Sequence, residues 1–183
     1  LNFRDPADTT PPTLTISLSD NALKIGDTST VTFAFSEVVS GFAADDITAS
    51  NGTPGSLSTA DNKTFTATFT PTASVEVATN VITVDKTGVT DAAGNTGSGT
   101  SSSATYSVDT LRPTVAVSLS DTALKVGETA TVTFIFSEAV TVFTSADVTV
   151  ANGNISAPTS SDGGITWIAT FTPTATVEDA SNV

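Results

Sequence analysis

SLSDNALKIGDTSTVTFAFSE, Ser17 to Glu37, returns almost verbatim as SLSDTALKVGETATVTFIFSE, Ser118 to Glu138. The copies differ at Asn21/Thr122, Ile25/Val126, Asp27/Glu128, Ser29/Ala130 and Ala34/Ile135, and each change is small or chemically alike. From Ser17 to Ser118 the step is 101 residues, so the chain is a tandem array of one unit. Thr30 to Glu37 is the strongest strand signal, with Val31, Phe33 and Phe35 on one face.

Upstream, Leu1 to Pro12 reads as a linker, because Arg4-Asp5-Pro6 and Pro11-Pro12 forbid a regular helix. Thr13 to Ser19 alternates as a half-buried strand, and Asp20 to Asp27 breaks it with Gly26 as the turn residue. Downstream, Val38 to Asp46 is a loop carrying Phe42 as a core plug. Ile47 to Ser50 is a short strand, Asn51-Gly52 is a hairpin signal, and Ser56 to Thr59 returns along it. Thr64 to Thr70 turns Phe65, Ala67 and Phe69 inward. Asn80 to Lys86 turns in Ile82 and Val84, and Ser102 to Asp109 turns in Ala104, Tyr106 and Val108. Gly88 to Gly99 is a Gly-rich loop. About seven short strands with turns between them, and no helical periodicity, predict an all-β chain of immunoglobulin-like β-sandwiches in tandem.

The second unit follows in step: Asp8 corresponds to Asp109, Pro12 to Pro113, Asp46 to Asp147 and Asn51 to Asn152. One extra residue enters at Gly163-Gly164, after which Phe65 corresponds to Trp167, Glu76 to Glu178 and Val81 to Val183. The expected organisation is a linker over 1–11, a first domain over 12–109 and a second over 110–183 that lacks its last two strands. A sandwich so shortened exposes open edges and half a core unless another chain or segment completes it.

The chain has 183 residues, a net charge of −13, and no His, Cys or Met. With 38% hydrophobic and 14% charged residues it is too apolar for a disordered chain. No Cys means no disulfides, so packing or ions must stabilise the fold. No apolar run approaches the roughly 20 residues that span a membrane, and no signal peptide is seen, so the sequence reads as the interior of something longer. The acidity argues against nucleic acid and anionic membranes as partners. It suits divalent cations, or solubility alone. Without His or Cys, Ser-His-Asp and Cys-His catalysis and the usual transition-metal ligand sets are excluded. The adjacent carboxylates Asp45 and Asp46 point to opposite faces of an extended chain, which argues against a catalytic dyad.

The strings TFAFSE, GFAADDITASNG, TFTATFTPTASVEVATNVITV and DAAGN, followed by YSVDT and a Pro, resemble bacterial Ig-like repeats. These repeats build large surface adhesins and biofilm-associated proteins, many of them secreted RTX-type adhesins. The resemblance covers nearly the whole chain, twice. It implies extracellular extender modules on the bacterial cell surface, packed against neighbouring repeats of the same chain and stiffened by calcium at or near the junctions.

Calcium takes oxygens from carboxylates, Asn and carbonyls in loops. Alternate strands send their loops to opposite poles. One pole of unit one gathers Asp8, Glu37, Asp45, Asp46, Asp61 and the Asp91 to Asn95 loop; the other gathers Asp20, Asp27 and Glu76, near Asp109. Unit two carries Glu138, Asp147 and Asp162. Crowded carboxylates repel unless a cation sits among them. The candidate ligands are therefore Asp8, Glu37, Asp46, Asp91 and Asn95, with Asp109, Glu138 and Asp147 as the repeat's equivalents. The competing reading is that Asp and Asn form turns by bonding their own backbone, and it is preferred for Asp20, Asp27 and Asp61. Trp167 is read as core, with a sugar platform as the sharper alternative. The outward threonines are read as ordinary β propensity. Beside the extender reading stand a carbohydrate- or protein-binding module and an accessory domain of an extracellular enzyme.

Overall fold

Alternation of period two becomes strand after strand in a computed structural model, which describes residues 8–178 and shows no α-helix among them. The linker reading of Arg4-Asp5-Pro6 and the match of Val183 to Val81 lie outside the described residues. The chain divides into two compact units, Leu1–Leu111 and Arg112–Val183.

Unit one begins with β1 (Leu14–Leu18), β2 (Ala22–Lys24), β3 (Ser29–Phe35), β4 (Val39–Ser40), β5 (Ile47–Ala49), β6 (Gly52–Pro54) and β7 (Ser58–Thr59). It continues with β8 (Thr64–Pro71), β9 (Glu76–Asn80), β10 (Ile82–Asp85), β11 (Thr90–Asp91), β12 (Thr100–Ser102) and β13 (Tyr106–Asp109). One sheet runs β1-β3-β8-β6, with β7 also on β8. The opposing strands form three short ribbons, β12-β10-β5, β11-β4 and β2-β13-β9. Val31, Phe33 and Phe69 from the sheet meet Ile82, Val84, Tyr106 and Val108 from the ribbons, all at most 1% exposed. Each Phe or Val so buried stabilises by roughly 1.5–3 kcal/mol. Phe42 plugs one end as expected, tilted against Phe33, Phe35 and Phe65 at 5.0–5.3 Å.

Four local readings are corrected. Asp20 to Asp27 is more than a turn: it holds β2, which pairs in parallel with β13 and buries Leu23. Asn51-Gly52 does not close a hairpin. β5 pairs with β10 and β6 with β8, so the dipeptide carries the chain between layers. Asn51 takes a left-handed φ of 51°, and a Cβ on Gly52 would lie 2.1 Å from the Phe69 ring. β9 was not expected; four of its five residues are exposed, so no apolar alternation marks it. Finally, the closing run splits into β12 and β13, and Ala104 between them is exposed.

Unit two contains β14 (Val115–Leu119), β15 (Ala130–Phe136), β16 (Gly153–Ile155), β17 (Thr159–Ser160) and β18 (Thr166–Pro173). They form one sheet, β14-β15-β18-β16 with β17 on β18, in the order of the first sheet of unit one. Leu14 pairs with Phe35 in one unit and Val115 with Phe136 in the other. The core is smaller, with Val132, Phe134 and Ala169 buried. Val117 is 54% exposed, whereas its counterpart Ile16 is 6% exposed.

Candidate metal centre

Three segments of unit one converge at one pole. The residues after β3 lead through Glu37 into β4. The β4·β11 pairing then sets Asp91 opposite Val39. Asp91 opens a tight loop closed by Asn95, whose N–H donates to Asp91 Oδ1 at 2.8 Å and whose Nδ2 donates to Oδ2 at 2.7 Å. The same Nδ2 donates to the Asp8 carbonyl at 3.2 Å, which ties the segment ahead of β1 to the loop. Asp8 is held by its own Asx turn: its Oδ1 accepts the Thr10 N–H at 3.0 Å and the Thr10 hydroxyl at 2.5 Å.

One carboxylate oxygen each from Asp8, Glu37 and Asp91 lies within 4.8 Å of the others. Asp8 is exposed, Glu37 half-buried and Asp91 buried. The Thr10 hydroxyl and N–H hold Asp8 below the ordinary carboxylate range, against burial and the Asp91 charge. Burial pushes Asp91 up, but hydrogen bonds from Asn95, Ala93 and Gly94 outweigh it and leave Asp91 lowered as well. Asp8 and Asp91 therefore both carry charge near neutrality, where they repel and favour a bound cation.

The other candidates lie apart from this group. Asp46 ends a 3-10 turn over Ala44–Asp46 and accepts the Ala43 N–H at 2.8 Å. Asp147 does the same in Ser145–Asp147, accepting from the Thr144 N–H and hydroxyl. Asp109 closes β13 and lies opposite Glu76 of β9 and beside Lys24 of β2. Glu138 is half-buried just past β15, where Glu37 stands after β3. Asp20, Asp27 and Asp61 form turns, accepting N–H groups from Ala22, Lys24, and Lys63 with Thr64. Thr10 had not been picked out, although the Asp-x-Thr spacing of Asp8 and Thr10 signals an Asx turn.

Trp167 faces inward, as its match to Phe65 implies. It is half-buried, packs edge-on against Phe143 at 5.6 Å, and its Nε1 donates to the Gly164 carbonyl at 3.0 Å. The glycine pair at the one-residue insertion shapes this turn. Gly163 and Gly164 take φ of 81° and 98°, and a Cβ on Gly164 would strike the Val140 carbonyl at 2.3 Å.

The family model described as bacterial Ig-like domain matches residues 8–108 and again residues 109–183. No curated protein matches the chain. Among solved structures, FdeC, an Escherichia coli adhesin, aligns with a TM-score of 0.40 at 14% identity. That alignment covers 93% of this chain and 58% of FdeC.

Proposed function

The chain belongs to the bacterial Ig-like domain family, and on that premise we propose that it is a structural extender module of a secreted, RTX-type bacterial surface adhesin. It acts outside the cell, in adhesion or biofilm formation. Each unit adds length and each junction controls bending. Calcium at Asp8, Glu37 and Asp91 fixes the segment that leads into the sandwich. By the step of 101 residues, Asp109 and Glu138 offer the same chemistry to unit two.

The observation that carries the cation is the closeness of three carboxylate oxygens drawn from three separate segments. The donors are all oxygens, which suits a hard divalent ion. A sugar platform at Trp167 is not favoured, because the ring is engaged by Phe143 and its N–H by Gly164. With neither His nor Cys in the chain, a catalytic role is not favoured either.

The test is thermal unfolding and small-angle scattering in millimolar calcium and in excess chelator. Calcium at about 100 times its Kd should stabilise by ~2.7 kcal/mol and raise the melting temperature by several degrees. The particle should also become longer and stiffer. Asp91→Asn combined with Glu37→Gln should abolish the rise. Identical melting and scattering with and without calcium would sink calcium stiffening.

A further inference from the structure

Asn51-Gly52 and Asn152-Gly153 are the Asn-Gly pairs of the chain, at matching places in the two units. Such a pair is chemically vulnerable. Gly has no side chain to shield its backbone nitrogen or to restrict its approach, so that nitrogen can attack the amide carbon of the preceding Asn. The fold nonetheless requires both residues. Asn51 and Asn152 take left-handed φ of 51° and 54°, which Asn tolerates. A Cβ on Gly52 would strike the Phe69 ring, and one on Gly153 the Phe171 ring. In unit one the reacting groups are also held still. Asn51 Nδ2 donates to Asn80 Oδ1 at 2.7 Å. Asn80 is 2% exposed and is itself fixed, its Nδ2 donating to the Val77 carbonyl at 3.0 Å and to the Tyr106 carbonyl at 3.1 Å. The Asn51 carbonyl accepts the Thr72 N–H at 3.0 Å, and Gly52 stands opposite Pro71 where β6 pairs with β8. For the Asn51 side chain to close onto the Gly52 nitrogen, its bond to Asn80 must break.

We propose that Asn51-Gly52 is a deamidation site that the fold keeps silent and that reacts when unit one opens. The Gly52 nitrogen bonds to Asn51 Cγ and gives up its proton, and Nδ2 takes a proton and leaves as ammonia. A succinimide ring remains. Water then opens the ring at one of its two carbonyls, leaving Asp or isoaspartate at position 51. One water is consumed, one ammonia is released, and nothing is oxidised or reduced. The product does not fit where Asn51 fitted. A carboxylate has no N–H to donate, so it sets an acceptor against Asn80 Oδ1. Isoaspartate also adds a methylene to the main chain where it passes from β5 to β6. A molecule that has opened and reacted is thereby withdrawn from those that refold to full stability. The inference rests on neither calcium nor the extender reading.

Isoaspartate at position 51 is followed in mildly alkaline buffer by peptide mapping and by labelling with an isoaspartyl methyltransferase. A free peptide of residues 47–56 gives the unguarded rate. The folded chain should convert at least about tenfold more slowly than the peptide, because only opened molecules react. Urea should raise the rate in step with the opened fraction, up to the peptide's rate when unfolding is complete. Asn80→Ala, with folding checked by circular dichroism, should convert faster than the unaltered chain. Should that variant not fold, the urea series on the unaltered chain decides. Asn51→Asp, which stands in for the product, should lower the urea midpoint. The proposal is overturned if the folded chain and the peptide react alike, or if Asn51 stays intact in the unfolded chain. It is also overturned if a folded Asn80→Ala chain reacts no faster, or if Asn51→Asp leaves the midpoint unchanged.

Discussion

Tyr106 ties distant parts of unit one together. Its ring is 1% exposed and packs edge-on against Phe69 at 5.3 Å. Its hydroxyl donates to the Ser50 carbonyl, just past the end of β5. Burial pushes the phenol up to about 12. In the unfolded chain it ionises near 10. The folded state thus keeps a proton that the unfolded state gives up, and stability present below pH ~10 is lost as pH rises toward 12. Tyr106→Phe should cost roughly 1–2 kcal/mol, because the Ser50 carbonyl loses its donor. It should also flatten the alkaline loss, measured by urea unfolding at about pH 8 and about pH 11. Asp162 shows the opposite sign. The backbone and side chain of Thr166 and the Ser160 hydroxyl hold its carboxyl down to about 2. Its contribution is complete above the ordinary 3.8 and disappears as pH falls through about 2. Asp162→Ala should remove that acid step from the Trp167 signal while leaving unit one's titration unchanged.

The elements show what pattern can and cannot reveal. β3 and β8 were legible because Val31, Phe33, Phe65 and Phe69 alternate with polar residues and are all inward. β9 was not, because its polar face is nearly its whole surface. β2 was hidden between Asp20 and Asp27, whose carboxylates bond the N–H groups of Ala22 and Lys24 on the strand itself. Turn chemistry and strand coexist there. At Asn51-Gly52 the residue types fit a hairpin, yet Gly52 is required by its contact with Phe69. Gly153 repeats this against Phe171, where an added Cβ would lie 2.3 Å from the ring. Gly52→Ala and Gly153→Ala should therefore each cost about 1–3 kcal/mol by overpacking, read from urea midpoints. In the candidate site, the convergence of Asp8, Glu37 and Asp91 followed from loops sharing a pole. Sequence could not separate Asp46 and Asp147 from them, because a capping carboxylate and a cation ligand are the same residue type in the same kind of loop.

At the scale of the molecule, the described residues of unit one bury side chains from two layers, while those of unit two centre their core on Val132, Phe134 and Ala169. The parallel pairing of β2 with β13 has a further consequence. Ala22, Leu23 and Lys24 lie beside Ser107, Val108 and Asp109, so the beginning and end of unit one are clasped side by side and point the same way. Tension on the chain draws these two strands past each other along their length. Their hydrogen bonds are then loaded together in shear instead of unzipping one by one.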